Sequence, residues 1–191
     1  DADIARVTTF CRSPNTAPPL NSVDDVTTIV KLDWWPLSGE EVTDIDLLML
    51  ESDQTPVGYA NRDGHVFHLV GDAIVGRDGN GIKTSRSELM VACHPVPEGS
   101  YLVNVYAYRV EVDGGRPFEL PVTVSVWQAK PRHLWEDTFV YASTFTLHSQ
   151  PEEISAIVLQ QKNSGMTVNQ CHTTTKLREF GGGQLPEPTC K

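Results

Sequence analysis

The stretch that decides the fold runs from Ser100 to Val126 and reads SYLVNVYAYRVEVDGGRPFELPVTVSV. Apolar and polar residues alternate along both of its halves, which is typical of β-strands with one buried face. Between the halves, Asp113-Gly114-Gly115 predicts a hairpin turn, because glycine readily adopts a positive φ. Pro121 lacks a backbone N–H and predicts an edge position or a bulge for the second strand. The predicted faces of the first strand are Tyr101, Val103, Val105 and Ala107 on one side and Leu102, Tyr106, Tyr108 and Val110 on the other.

The same pattern continues on both sides of this stretch. Residues 45–50 are apolar except for Asp46, which indicates a strand buried on both faces. Residues 71–85, in contrast, predict a long loop. No segment carries an apolar stripe of helical period over three turns. We therefore predict an all-β chain folded as an antiparallel Greek-key β-sandwich of about eight or nine strands. The other strand-like ranges are 26–34, 65–70, 88–93, 138–148 and 152–161.

The length of 191 residues fits one domain with additional terminal segments. We assign residues 23–161 to the β-sandwich domain. Residues 1–22 contain three prolines and predict an extended N-terminal arm, and residues 162–191 predict a C-terminal tail closed by a disulfide. The edges of a sandwich accept strands from other molecules, so the arm is a candidate strand for a neighbour.

Four cysteines allow three pairings. Cys171 and Cys190 bracket a polar, glycine-rich segment with little to bury, so we predict a bond between them and a second bond between Cys11 and Cys93. Each would tie one terminus to the domain. The alternative is a Cys/His zinc site, but the usual close spacing of two ligands is missing. Two disulfides predict an oxidising compartment, either periplasmic or extracellular. No apolar run is long enough for a transmembrane segment.

The charge is acidic and uneven. Fifteen basic and 25 acidic side chains leave a net charge of −10, which argues against a nucleic-acid-binding surface. The stretch from Asp24 to Asp53 holds nine acidic residues and one basic residue, Lys31. We expect this acidity to form one end or face of the protein. It would serve as a solubilising surface, a cation site or a docking face for a basic partner.

The segment from Val42 to Trp127 resembles the bacterial pre-peptidase C-terminal domain and related uncharacterised secreted β-sandwich modules. The matching motifs are VTDIDLLMLESD, then PEGSYLVNVYAYR, where Gly99 and Tyr101 open a strand, and finally PFELPVTVSV. The resemblance implies a non-catalytic, extracytoplasmic accessory module, some of whose relatives bind calcium. This chain departs from the pattern by its loop at residues 71–85, its arm, its last two strands and its tail.

Calcium is the most specific cofactor that the residues suggest. Calcium requires six to eight oxygen ligands, chiefly carboxylates and carbonyls. Asp44 and Asp46 share a predicted strand face, and Asp78 and Asn80 lie in the predicted loop beside two glycines. The spacing excludes an EF-hand, since Lys83 and Leu89 stand where Gly and Glu are required. A tight turn at residues 78–81 is the alternative interpretation.

Aromatic residues suggest a second ligand class. Trp34 and Trp35 are adjacent, so on a strand they point to opposite faces, and Trp135 lies near a strand end. A tryptophan that faces solvent can stack on carbohydrate or anchor a protein interface, whereas a buried one belongs to the core.

The common catalytic motifs are absent, and the six histidines are scattered along the chain. We therefore predict that the protein is not an enzyme. The expected role is a binding or structural module, as a subunit or accessory domain of a larger protein assembly. The alternative is a carbohydrate-binding module, with or without stabilising calcium.

Overall fold

Twelve strands form two antiparallel sheets in the part of the chain that the computed structural model describes. The described residues are 7, 9–11, 27–35, 41–71, 74–78, 81–83, 86–112, 117–129, 139–177 and 190. The strands are β1 (Thr27–Trp34), β2 (Glu41–Leu50), β3 (Pro56–Val57), β4 (His68–Gly71), β5 (Ile74–Asp78), β6 (Gly81–Lys83), β7 (Ser87–Ala92), β8 (Gly99–Val112), β9 (Leu120–Ala129), β10 (Phe139–Leu147), β11 (Glu152–Lys162) and β12 (Gly165–Gln170).

The two sheets confirm the predicted antiparallel β-sandwich. A five-stranded sheet has the order β10-β9-β1-β7-β4. The second, seven-stranded sheet has the order β12-β11-β8-β2-β5-β6, and β3 also pairs with β2. The predicted count of eight or nine strands is too low. The missed strands are the short β3, β5 and β6, and also β12.

The segment of residues 100–126 does not form the predicted hairpin. β8 pairs with β2 and β11 in the seven-stranded sheet, whereas β9 pairs with β1 and β10 in the five-stranded sheet. The chain therefore crosses between the sheets after β8, and the two apolar faces meet across the core instead of lying side by side. Alternation predicts which face of a strand is buried, and both arrangements bury the same faces.

Two details of these strands also differ from the prediction. The pairing of β8 with β2 skips Tyr108, so a β-bulge shifts the alternation by one residue and turns Val110 into the core. β9 is a central strand and not an edge, although it contains Pro121. Proline is tolerated there because its position lies beyond Trp34, the last β1 residue paired with β9. The carbonyl of Pro121 still accepts a hydrogen bond from the N–H of Trp35 at 3.3 Å.

The core between the sheets contains the residues that the alternation assigned to it. Val30, Leu32 and Trp34 of β1 are buried there, and so are the inward residues of β8 and β9. Tyr101 is fully buried, and its hydroxyl donates to the carbonyl of Pro97 at 3.0 Å. Gly99, which precedes this strand, has φ +153°, and a Cβ there would lie 2.5 Å from the Cβ of Ser52.

The described residues near both ends of the chain pack on the outer faces of the sandwich. Residues 7 and 9–11 are helical, so this part of the N-terminal arm is not extended as predicted. Val7 and Cys11 pack on the outer face of the five-stranded sheet. On the seven-stranded sheet, Leu177 and the Cys171–Cys190 pair cover Leu48 and its neighbours. Residues 45–50 are consequently buried on both faces, as predicted, because the chain itself covers the second face.

The structure contains both predicted disulfides, Cys11–Cys93 and Cys171–Cys190. They agree with folding in an oxidising environment outside the cytoplasm. Among the described residues, no helix has the length and apolarity required to cross a membrane.

Two segments predicted to be irregular contain strands. β5 and β6 pair as a hairpin within residues 71–85. β12 lies within the predicted tail and pairs with β11 in register from Lys162 opposite Gly165. The two residues between them are Asn163 and Ser164, a composition that favours a tight hairpin turn. The sheet therefore continues beyond the predicted domain boundary at residue 161.

Candidate functional site

Of the three tryptophans predicted to bind ligands, Trp34 and Trp35 are described by the structure, and their environments differ. Trp34 is buried in the core, where its Nε1 donates to Oγ1 of Thr43 at 3.0 Å. Trp35 is 47% exposed and is available to a partner. Trp135 lies outside the described residues. The expectation that the neighbours Trp34 and Trp35 face opposite ways agrees with these exposures.

A groove beside Tyr59 is a surface feature that the sequence analysis missed. Gly58 and Asn61 exchange backbone hydrogen bonds of 2.9 and 3.2 Å, and Tyr59 and Ala60 form the tip of this turn. The side chain of Asn61 donates to the carbonyl of Pro56 at 2.7 Å, which closes the turn further. The cavity has a volume of about 310 Å³. Its lining consists of Leu48, Met49, Pro56, Val57, Gly58, Tyr59, Ala60, Asn61 and Leu177.

Local signals for this turn are present in the sequence. Glycine and asparagine flank Tyr59 and Ala60, a composition that favours turns. The groove also requires Leu177, which is 118 positions from Tyr59 in the chain. No local pattern indicates that contact. Tyr59 itself is 47% exposed, which equals the exposure of Trp35.

The four predicted calcium ligands lie on β2, on β5 and in the turn that follows β5 in the sequence. Asp44 and Asp46 are both largely buried, and each alternates with core residues of β2, so they share its outer face. β5 pairs with β2 at Ile74, opposite Asp44. Asp78 lies four positions further along β5, about 13 Å at the usual rise of a strand. Asn80 lies outside the described residues. Calcium at Asp44 and Asp46 stays a prediction.

The acidic stretch between residues 24 and 53 does not form one face. Asp33 lies in β1 of the five-stranded sheet, where Lys31 contacts it at 3.0 Å. Asp44 and Asp46 lie in the other sheet, on its outer face. The expected single acidic end is therefore wrong for these residues, because β1 and β2 are consecutive in the chain but belong to opposite sheets.

Glu51, at the end of β2, is a buried carboxylate that organises a loop. It is 1% exposed. Its Oε2 accepts the N–H of His65 at 2.8 Å, and its Oε1 accepts those of Val66 and Phe67 at 2.9 and 2.6 Å. Gly64 permits this approach, since a Cβ there would lie 2.5 Å from Oε1. The carboxylate therefore replaces the strand partners that these three N–H groups lack.

A second buried carboxylate acts in the same way between the two sheets. Glu88 of β7 is 1% exposed, and its Oε2 accepts the N–H of Leu47 in β2 at 2.7 Å. Leu47 lies between the parts of β2 that pair with β5 and with β3. Glu88 thus supplies an acceptor at a point where none of the described strands adjoins β2 on that side.

Asp53 and His65 form an exposed pair beside Glu51. Oδ2 of Asp53 contacts Nδ1 of His65, and Oδ1 of Asp53 accepts the N–H of Thr55 at 3.0 Å. The hydrogen bond to His65 lowers the pKa of Asp53, and the same bond raises the pKa of His65. Potential metal-ligating atoms of Glu51, Asp53 and His65 lie within 4.8 Å of one another. Because Glu51 already accepts three N–H groups, the arrangement is suited to holding the turn.

We expect the Asp53→Asn substitution to lower the pKa of His65 toward its ordinary value, because the neutral amide stabilises the imidazolium less. In the native protein, the raised pKa of His65 adds stability below pH 6.5. That contribution is lost as the pH rises through the folded-state pKa. The lowered pKa of Asp53 adds stability above pH 3.8, which is lost as the pH falls through its folded-state value.

An NMR titration of the His65 ring protons measures this effect. Asp63→Asn is the matched control, since Asp63 contacts His68 at 3.1 Å and not His65. If Asp53→Asn left the His65 titration unchanged, the pair would have no role in setting the pKa.

Neither a protein-family model nor a curated protein matches the chain. The chain is similar to a solved structure titled "Crystal structure of unknown function protein SAV2460", with 14% sequence identity and a TM-score of 0.45. The match covers 76% of this chain and 87% of the other. Similarity at this level carries no information about function.

Proposed function

We propose that this protein is a non-catalytic protein-binding module that works outside the cytoplasm, as a subunit or accessory domain of a larger assembly. The observation that carries the proposal is the groove beside Tyr59. It combines an exposed aromatic ring with an apolar floor, on a turn held by backbone and side-chain hydrogen bonds.

The chemistry of the groove favours a protein partner. Tyrosine is enriched among the residues that dominate binding energy at interfaces, and such residues work best when they are held rigidly next to apolar surface. Leu48, Val57 and Leu177 line the groove and are nearly buried, so they present apolar surface at its base. The amide of Asn61 is engaged with Pro56, which leaves it less suited to hydrogen-bond a sugar hydroxyl.

The proposed location is the periplasm or the extracellular space. Two disulfides that tie the termini to the domain support it. The resemblance of residues 42–127 to the pre-peptidase C-terminal domain points to the same location and to an accessory role. Glu51 and Glu88 both accept backbone N–H groups, which supports a structural role for these two buried acids.

Carbohydrate binding is the second candidate, and the exposure of Trp35 favours it. A tryptophan ring that faces solvent offers apolar area for stacking against a sugar ring. In this alternative, Asp44 and Asp46 would bind a stabilising calcium ion. The two candidate functions use different aromatic residues, which makes them separable by mutation.

The test compares Tyr59→Ser with Trp35→Ser, two truncations of aromatic side chains with the same exposure. Affinity capture from the periplasmic or secreted fraction of the source organism would identify a partner, and calorimetry would measure its binding. We expect Tyr59→Ser to weaken that complex about tenfold or more. Trp35→Ser should leave the affinity unchanged.

Two results would contradict the proposal. One is a partner whose affinity is insensitive to Tyr59→Ser. The other is retardation of the protein on a polysaccharide in affinity electrophoresis, abolished by Trp35→Ser, which would establish the carbohydrate-binding alternative.

A further inference from the structure

Within the described part of the chain, β10 is an edge strand without the usual protection. It pairs with β9 on one side, and no other described strand pairs with its second side. Its nine residues, FVYASTFTL, include no charged side chain and no proline. Long, uncharged edge strands favour pairing with another chain, and proteins normally interrupt them with charges, prolines or covering loops.

The other edges of the two sheets differ from β10. At β4, the N–H of Leu69 donates to the carbonyl of Arg62, and Asp63 bridges His68, so residues 62–63 cover that edge. β6 has three residues and ends at Lys83. β12 is uncharged but has only six residues. Among the described strands, β10 is therefore the edge that is both long and uncharged.

The hydrogen-bond pattern identifies the backbone groups that face the free side of β10. The carbonyl of Pro121 accepts from the N–H of Trp35, so Pro121 and every second residue after it in β9 face β1. The intervening residues, Val122, Val124 and Val126, face β10 and pair with Phe145, Ser143 and Tyr141. The backbone N–H and C=O groups of Ala142, Thr144 and Thr146 consequently point away from the sheet.

We propose that two copies of this chain associate by antiparallel pairing of β10 with its counterpart, about a two-fold axis at Thr144. The irregularity in β10 lies between Phe139 and Tyr141, and the register from Tyr141 to Leu147 is regular. That regular segment is centred on Thr144. Pairing about this centre places Ala142 opposite Thr146 of the second copy, and Thr144 opposite Thr144 of the second copy. In each of these pairs, the backbone N–H of either residue donates to the C=O of the residue opposite.

The side chains fit this arrangement. Ala142, Thr144 and Thr146 are small or β-branched, and pairing an uncharged strand with itself brings no like charges together. On the inner side, Tyr141 and Phe145 are only partly buried at the rim of the core. In the dimer they lie opposite Leu147 and Ser143 of the second copy, which extends the apolar layer across the axis. The two five-stranded sheets become one continuous sheet, as expected for an isologous dimer.

The first test is sedimentation analysis of the full chain from micromolar to millimolar concentration. We expect a monomer–dimer equilibrium in the native protein. Thr144→Lys places two like charges opposite each other at the axis and should weaken the dimer at least tenfold. Thr144→Asp should do the same, and an equimolar mixture of the two variants should recover the dimer. Thr167→Lys makes the same change on the other uncharged edge strand, β12, and should leave the dimer intact.

The second test is residue-resolved amide hydrogen exchange, which does not depend on a substitution. The amides of Ala142, Thr144 and Thr146 should exchange quickly at low concentration and become protected at high concentration. Those of Ser143 and Phe145 should be protected at both, because they pair with β9. A protein that stays monomeric throughout, or a dimer that Thr167→Lys breaks and Thr144→Lys does not, would overturn the proposal. Neither test depends on the groove at Tyr59. Failure of the dimer proposal would therefore leave the proposed function untouched, and the reverse also holds.

Discussion

Replacing Glu51 by glutamine should lower the free energy of unfolding by about 3 kcal/mol. Both carboxylate oxygens accept backbone N–H groups, from His65 on one side and from Val66 and Phe67 on the other. Glutamine has nearly the same shape, but its amide nitrogen must face at least one of these donors. The substitution therefore leaves a buried N–H without an acceptor and removes the charge that strengthens the other bonds.

Urea denaturation measures this loss, and Glu119→Gln is the control. Glu119 is exposed, so the same chemical change there should alter stability by less than about 0.5 kcal/mol. Gly64→Ala tests the same contact from the other side, since its Cβ would lie 2.5 Å from Oε1 of Glu51 and from Cγ2 of Val57. The variant that combines Glu51→Gln with Gly64→Ala should lose less free energy of unfolding than the two single variants lose in sum, because both substitutions disrupt the same contact. If Glu51→Gln and Glu119→Gln lowered the free energy of unfolding by the same amount, Glu51 would not have the proposed role of holding the loop.

Removing the Cys11–Cys93 disulfide should cost more stability than removing Cys171–Cys190. The first bond joins residues 82 positions apart and the second joins residues 19 apart. In the chain-entropy description, these loops contribute about 4.5 and about 3.2 kcal/mol, so the expected difference is about 1.3 kcal/mol. The first bond also fixes the N-terminal helical segment on the outer face of the five-stranded sheet.

The measurement compares two double variants, Cys11→Ser with Cys93→Ser and Cys171→Ser with Cys190→Ser, by denaturation under non-oxidising conditions. Each double variant avoids leaving an unpaired thiol. Reduction of the native protein provides an independent control, because it should cost about as much as both changes together. A larger loss for the Cys171–Cys190 variant would show that packing of the C-terminal segment outweighs loop entropy.

Much of the secondary structure could be predicted from local patterns. The alternation in β1, β8 and β9 identifies the residues that face the core, and it does so even where the predicted pairing is wrong. The side of the sheet to which a side chain points depends on the two-residue period of its own strand, and not on which strand lies beside it. The strands that were missed, β3, β5, β6 and β12, are short or lie in glycine-rich and polar segments, where alternation is too brief to detect.

The candidate site was much less predictable. The sequence suggested Trp35 but not Tyr59, although the two side chains have equal exposure. A tyrosine in a turn carries no information about the apolar groove next to it. The prediction of one acidic face failed for a related reason, since Asp33 and Asp44 are near in sequence but belong to different sheets.

The sequence alone determined that the chain is almost entirely β and, apart from the bulge at Tyr108, which side of the long strands faces the core. These properties depend on periodicity and on local composition, and each can be read within one segment. Only the tertiary structure decided that β8 and β9 lie in opposite sheets, that described residues near both ends cover the outer faces, and that β10 is an edge among the described strands. The physical reason is that the choice of a strand's neighbour depends on the packing of all the strands together. Strand alternation is equally compatible with a hairpin and with a crossing between sheets, because both bury the same side chains.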